Sequence, residues 1–171
     1  DFRQREERGT WYYEIVDLGY NYRITDFQCA LGLSQLQKLP DFLKRRKDLS
    51  EQYEEAFSGV QEINPLDVKH NVNHAYHLYV IRVDFESLGC ERTDIFQKLR
   101  EKGIGVNVHY IPLHLHSFYQ KRFGSGRGLC PVAEEAYGSI MSIPIHPGMN
   151  NEDSNEVITV LLGILGASRC Q

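Results

Sequence analysis

Gly19-Tyr20-Asn21-Tyr22-Arg23 gathers two aromatic rings, an amide and a guanidinium just before a helix-start signal. The Arg23 fork can grip a phosphate or carboxylate through two parallel N–H···O bonds, and Asn21 can offer an amide N–H beside it. Taken by itself, an arginine near a helix end is more often a solvated or structural residue. A second concentration is Val108-His109-Tyr110-Ile111-Pro112-Leu113-His114-Leu115-His116, where histidines cluster as a predicted strand runs into a Pro-containing loop, a common place for binding residues. His114 and His116, two positions apart, could bind a metal, but no adjacent carboxylate or cysteine completes a four-ligand set. Ordinary hydrogen-bonded or surface histidines are the alternative, and the preferred one for His116. Ser139–His146 reads as a buried strand ending at Pro144, with His146 structural or exposed. No dinucleotide glycine fingerprint, Walker sequence or G-x-S-x-G elbow is present.

The elements that must position these residues follow from local patterns. Thr25-Asp26-Phe27-Gln28 has the form of a capping box, so a helix begins there. Phe27, Ala30, Leu31, Leu33, Leu36 and Leu39 form one wide apolar stripe, with Gly32 and Ser34 allowing close approach of a neighbour. Pro40 is expected to end or kink this helix. A second helix fits Asp41–Phe57, with Phe42, Arg46, Leu49, Tyr53 and Phe57 on one face and Gly59 as a left-handed stop. Ile63–Asn73 reads as a loop and His77–Val83 as a strand. Thr93–Lys102 is expected to be a helix capped by Thr93 and closed by Gly103. Gly105–Tyr110 and Ser139–Ile143 are the remaining strand candidates, and Pro131–Tyr137 and Asn151–Leu165 the remaining helices, the last with Glu152 and Asp153 favouring its dipole. The leading segment Asp1–Asn21 is charged, then aromatic, and extended. The order predicts an α/β fold, a small sheet with packed helices preceded by long helices.

Composition narrows the function classes. In a chain of 171 residues, 42% hydrophobic and 25% charged, a real core can form. A formal charge of −4 supplies no global field to attract nucleic acid or an anionic membrane. The longest apolar stretch, around Val157–Ala167, falls short of the ~18 to 20 residues of a membrane span. A cytoplasmic small-molecule role fits this balance. Cys29, Cys90, Cys130 and Cys170 are scattered singly, so reduced, mostly buried thiols are expected. Asp1 in place of Met, with no signal-peptide pattern behind it, reads as a processed or truncated piece.

Gly19–Leu36 closely resembles the G-x-N-x-R segment and following helix of the DegT/DnrJ/EryC1/StrS sugar aminotransferases. Its Ala-Leu-Gly-Leu-Ser-Gln-Leu run is especially like the members that aminate a UDP-linked 4-keto-6-deoxy sugar on the route to pseudaminic acid. Tyr76–Tyr79, Gly103–His114 and Ser142–Pro147 match the same family in order. The resemblance implies the C-terminal small domain of an aspartate-aminotransferase-type (fold type I) enzyme that uses pyridoxal 5'-phosphate (PLP) and works as a homodimer in polysaccharide biosynthesis. It implies amino transfer, usually from glutamate, to the C4 ketone of a nucleotide-linked sugar. It divides the chain into the end of the cofactor domain (1–24), linking helices (25–58) and the small domain (59–171). Asn21 and Arg23 would reach into the partner's site, near cofactor phosphate or substrate. Asn107, Val108, His109 and Tyr110 would contact the nucleotide-sugar, Tyr110 through its hydroxyl and ring and His109 by donating to a pyrophosphate oxygen. No catalytic residue and no metal ligand is implied within the chain, because the Schiff-base lysine of such enzymes lies upstream of the G-x-N-x-R segment. The other readings are a stand-alone α/β module that binds a small ligand, and a degenerate member with a regulatory or structural role.

Overall fold

The computed structural model describes residues 6–15 and 17–168. Two compact units are present, Asp1–Gln37 and Lys38–Gln171. The segment Asp1–Asn21 was expected to be extended, but residues 6–8 are helical and a turn follows at 10–11, since a charged stretch without periodicity still closes local backbone bonds; residues 1–5 and 16, like Cys170, lie outside the described residues.

In the first unit the capping box forms as expected. The Thr25 N–H donates to Gln28 Oε1 at 2.9 Å, and the Gln28 N–H donates back to Thr25 Oγ1 at 3.3 Å. The helix it starts, α1, runs Asp26–Phe57 with Pro40 inside it, so Pro40 does not divide two helices. A proline removes one ladder bond and crowds the preceding turn, at a cost of about 3 kcal/mol. The residues that follow it offset that cost by burying Leu49, Tyr53 and Phe57. The apolar stripe ahead of Pro40 is exposed, Phe27 at 82% and Leu33 at 65%.

In the second unit β1 (Ile63–Pro65), β2 (Tyr79–Val83) and β3 (Ile140–Ile143) form an antiparallel sheet in that order. β1 was expected to be loop. It is a short edge strand in which Ile63 pairs with Val83 and Pro65 with Ile81, the position where a proline's missing N–H is tolerated. Tyr79 of β2 pairs with Ile143 of β3. Alternation along β2 buries Tyr79, Ile81 and Val83. Helix α2 (Arg92–Glu101) contributes Ile95 and Leu99 to the core. Its cap is Glu91 in place of the expected Thr93, with the Asp94 carboxylate accepting the Glu91 N–H at 3.2 Å. Gly103 closes it at φ 81°, and Gly59 takes φ 84° after α1.

A 3₁₀ turn at Leu113–Leu115 and a helix α3 (Ser117–Phe123) occupy what read as loop. They precede α4 (Pro131–Ser139) and the final α5 (Asn151–Ser168). Asp153 does more than favour the α5 dipole, since it accepts the Asn150 N–H at 2.7 Å and donates its own N–H to Asn150 Oδ1 at 2.9 Å. α5 buries Val157, Leu161 and Leu165, four residues apart, and packs on α2. Contrary to expectation, Cys29 and Cys130 are exposed and Cys90 is half-buried.

Two long-range polar contacts fasten α1 to the sheet's end. One Arg46 nitrogen donates to the carbonyls of Tyr76, His77 and Ile145 at 2.9, 3.1 and 3.0 Å. The Tyr53 hydroxyl donates to the Pro144 carbonyl at 2.7 Å. Burial, with Asp153 second, pushes the Tyr53 phenol up, so it remains a donor at neutral pH. Tyr53→Phe should cost about 1 to 3 kcal/mol in urea unfolding, because the Pro144 carbonyl loses its partner. An unchanged midpoint would show that water replaces the hydroxyl without penalty.

Candidate functional site

Asn21 and Arg23 belong to the first unit and both are exposed. Two tight backbone bonds, Tyr22 N–H to Tyr20 carbonyl (3.1 Å) and Arg23 N–H to Asn21 carbonyl (3.0 Å), fold the segment on itself. The Tyr20 and Tyr22 rings lie 5.5 Å apart. Among the described residues no side chain engages the Arg23 guanidinium. This is the state of a group whose five N–H donors are available to an anion.

Asn107, Val108, His109 and Tyr110 belong to the second unit. Gly105–Tyr110 is not a strand. Asn107 alone bridges to Ser142 of β3, donating its N–H to the Ser142 carbonyl at 3.1 Å and accepting the Ser142 N–H at 2.8 Å. One bridged residue lets the chain leave the sheet at once and carries the following side chains to its end. His109 is half-buried, with Nδ1 2.8 Å from Ser142 Oγ and Nε2 3.3 Å from Asn107 Nδ2. The Tyr110 ring meets the imidazole edge-on at 4.5 Å and is 71% exposed. Val108 is half-buried and spends its N–H on Asn107 Oδ1 at 2.8 Å.

His114 has a partner that the sequence reading missed. Its Nε2 lies 2.9 Å from Glu134 Oε1, with both side chains largely enclosed. The same carboxylate accepts the Gly128 N–H at 2.8 Å and the Cys130 N–H at 3.3 Å, so one residue of α4 ties down the loop before it. An acidic residue in the first turn of a helix that opens on Pro131 was the available signal. The His116 ring meets the Ile111 carbonyl, at 3.3 Å, and His146 is exposed. Among the described residues no group of three or more His, Cys, Asp or Glu is placed to hold a metal ion. Among the same residues no helix is long and apolar enough to cross a membrane.

The Glu134 carboxyl is held below the usual carboxylate range, first by the His114 hydrogen bond and then by the Gly128 and Cys130 N–H groups. A depressed folded value adds stability above the unfolded one, about 4.3 for glutamate, and that stability is lost as pH falls through the folded value. Protection of the Gly128 amide from hydrogen exchange should therefore fall on acidification below that range. Glu134→Gln should remove this acid dependence. A wild-type Gly128 amide protected equally at pH values on both sides of the transition would contradict it.

An apolar recess of about 510 Å³ is lined by Leu66, Val72, Tyr76 and Tyr79, among others, and includes none of the expected site residues. Every lysine in the chain is exposed. The residues present thus suit an anionic or oxygen-rich ligand, and none supplies an enclosed amine.

The model of the DegT/DnrJ/EryC1/StrS aminotransferase family matches residues 2–162. The chain belongs to this family. DegT/DnrJ/EryC1/StrS aminotransferases depend on PLP. The spore coat polysaccharide biosynthesis protein SpsC of Bacillus subtilis is 37% identical over 92% of this chain and 41% of its own length. The UDP-4-amino-4,6-dideoxy-N-acetyl-beta-L-altrosamine transaminase of Campylobacter jejuni is 36% identical over 91% of this chain and 40% of its own. The PLP form of the putative sugar aminotransferase Spr1654 from Streptococcus pneumoniae superposes with a TM-score of 0.80 at 33% identity, over 92% of this chain and 40% of that one. The chain thus spans about two fifths of the length of these family members. The fold expected from the sequence, the small α/β domain of a fold type I aminotransferase, is the one found.

Proposed function

We propose that this chain is the substrate-holding C-terminal part of a PLP-dependent aminotransferase that moves an amino group, from glutamate, to the C4 ketone of a nucleotide-linked 4-keto-6-deoxy sugar. Family membership across residues 2–162 is the observation that carries the reading. The reading extends to a cytoplasmic homodimer with shared active sites, to a nucleotide-sugar like that named for the Campylobacter relative, and to a division of the chain at residues 24 and 58.

PLP, when bound, supplies the electron sink for amino transfer. The chain's own residues do the positioning. Arg23 and Asn21 hold an anionic group, cofactor phosphate or substrate, and the unengaged guanidinium supports this. Asn107, Val108, His109 and Tyr110 line up the nucleotide-sugar. The bridge to Ser142 fixes the first of them, and the exposed Tyr110 hydroxyl is free to meet a sugar or phosphate oxygen. A lysine upstream of the Gly19–Arg23 segment would hold the cofactor and supply the amine that moves the proton.

Tyr110→Phe tests this in the full-length protein. The apparent KM for the nucleotide-sugar should rise by the worth of one hydrogen bond, about 0.5 to 1.5 kcal/mol. The half-reaction with glutamate should be nearly unchanged in stopped flow. Equal slowing of both halves would point to a folding or cofactor defect and contradict a substrate-holding role.

A further inference from the structure

The orientation of the Asn107 amide decides which proton His109 carries. Asn107 Oδ1 accepts the Val108 N–H at 2.8 Å, which leaves Nδ2, a donor only, facing His109 Nε2 at 3.3 Å. Nε2 must then accept, and the proton of the neutral ring belongs on Nδ1, where it donates to Ser142 Oγ at 2.8 Å. Ser142 is only 4% exposed and its main chain is tied to Asn107 in both directions, so its hydroxyl is a fixed reference point.

We propose that Ser142 and Asn107 are positioning residues that hold His109 as a neutral imidazole protonated on Nδ1, making it the bracket for Tyr110 and not a donor to the ligand. With both ring nitrogens engaged, His109 presents to its surroundings only carbon edge and ring face. Tyr110 packs against it with ring planes at 84°. The donors left for a ligand are the second Asn107 Nδ2 proton and the Tyr110 hydroxyl. They suit neutral sugar and phosphoryl oxygens, and need no imidazolium. The functional half of this proposal rests on the reading of Asn107–Tyr110 as the nucleotide-sugar segment; the tautomer half does not.

The test uses the full-length protein with ¹⁵N-labelled histidine, the His109 signals being assigned by their loss in His109→Gln. Long-range ¹H–¹⁵N correlations should show His109 protonated on Nδ1 in the wild type. Ser142→Ala should shift the ring toward the Nε2-protonated form, and Asn107→Asp, whose carboxylate can only accept, should do so more completely. Ser142→Thr, which keeps the hydroxyl, should retain the wild-type pattern. Calorimetry with UDP-N-acetylglucosamine as the probe should find affinity about two- to tenfold weaker in Ser142→Ala, the range of one hydrogen bond's worth of orientation. An Nε2-protonated or doubly protonated wild-type ring, or a tautomer indifferent to both Ser142→Ala and Asn107→Asp, overturns the proposal. A tautomer that switches while affinity stays constant overturns the substrate-holding reading and leaves the hydrogen-bond assignment standing.

Discussion

Arg23→Ala in the full-length protein is expected to cut turnover about a hundredfold or more, since two charge-assisted hydrogen bonds at about 1.5 to 3 kcal/mol each would be lost. The guanidinium is exposed, unengaged among the described residues, and held on a segment that two tight backbone bonds and a pair of tyrosine rings fold on itself. Such a group has its geometry set by the backbone and its donors left for something else. Arg23→Lys should not restore turnover, because a point charge cannot reproduce a planar two-pronged contact. Asn21→Ala should be similarly damaging. If Asn21 and Arg23 serve the partner subunit's site, mixing Asn21→Ala subunits with subunits lacking the Schiff-base lysine should regain part of the activity, one hybrid site then being intact. No recovery in demonstrated heterodimers would mean that these residues serve their own subunit.

Legibility in the sequence tracked how local the controlling physics was. Thr25 and Gln28 satisfy each other's backbone within one turn, so the start of α1 could be read from four letters. Gly59 and Gly103, whose positive φ needs no partner, were equally plain. Pro40 misled because its penalty is local while the burial that offsets it, at Leu49, Tyr53 and Phe57, comes from strands tens of residues away. The same distance hid β1, which exists only because Val83 and Ile81 lie opposite Ile63 and Pro65. It also made Gly105–Tyr110 look like a strand when only Asn107 finds a partner. The Phe27–Leu39 stripe was correctly seen as apolar, but periodicity reports which face is apolar and not what lies against it. At the site, the side chains of Asn107–Tyr110 could be singled out from their types and family pattern. The hydroxyl of Ser142, thirty-odd residues on, and the Glu134 carboxylate beneath His114 could not, because only the folded chain brings them together.

Taken alone, the chain should not transaminate. A lysine becomes a nucleophile toward PLP when burial or a neighbouring cation activates its amine. Every lysine of this chain is exposed, and Lys44 and Lys47 pair with Asp48 and Glu51 one turn along α1. The expected activity of the isolated chain is therefore none, whatever the amino donor, while Arg23, Asn21 and the Asn107–Tyr110 segment keep their geometry. The decisive measurement is to load the full-length protein with PLP, reduce it with borohydride, digest it and map the modified peptide by mass spectrometry. One stoichiometrically modified lysine is expected, upstream of Gly19–Arg23 and outside this 171-residue chain. Full-occupancy modification of one specific lysine between Lys38 and Lys121 would contradict it, placing the covalent chemistry within the part assigned only to holding the substrate.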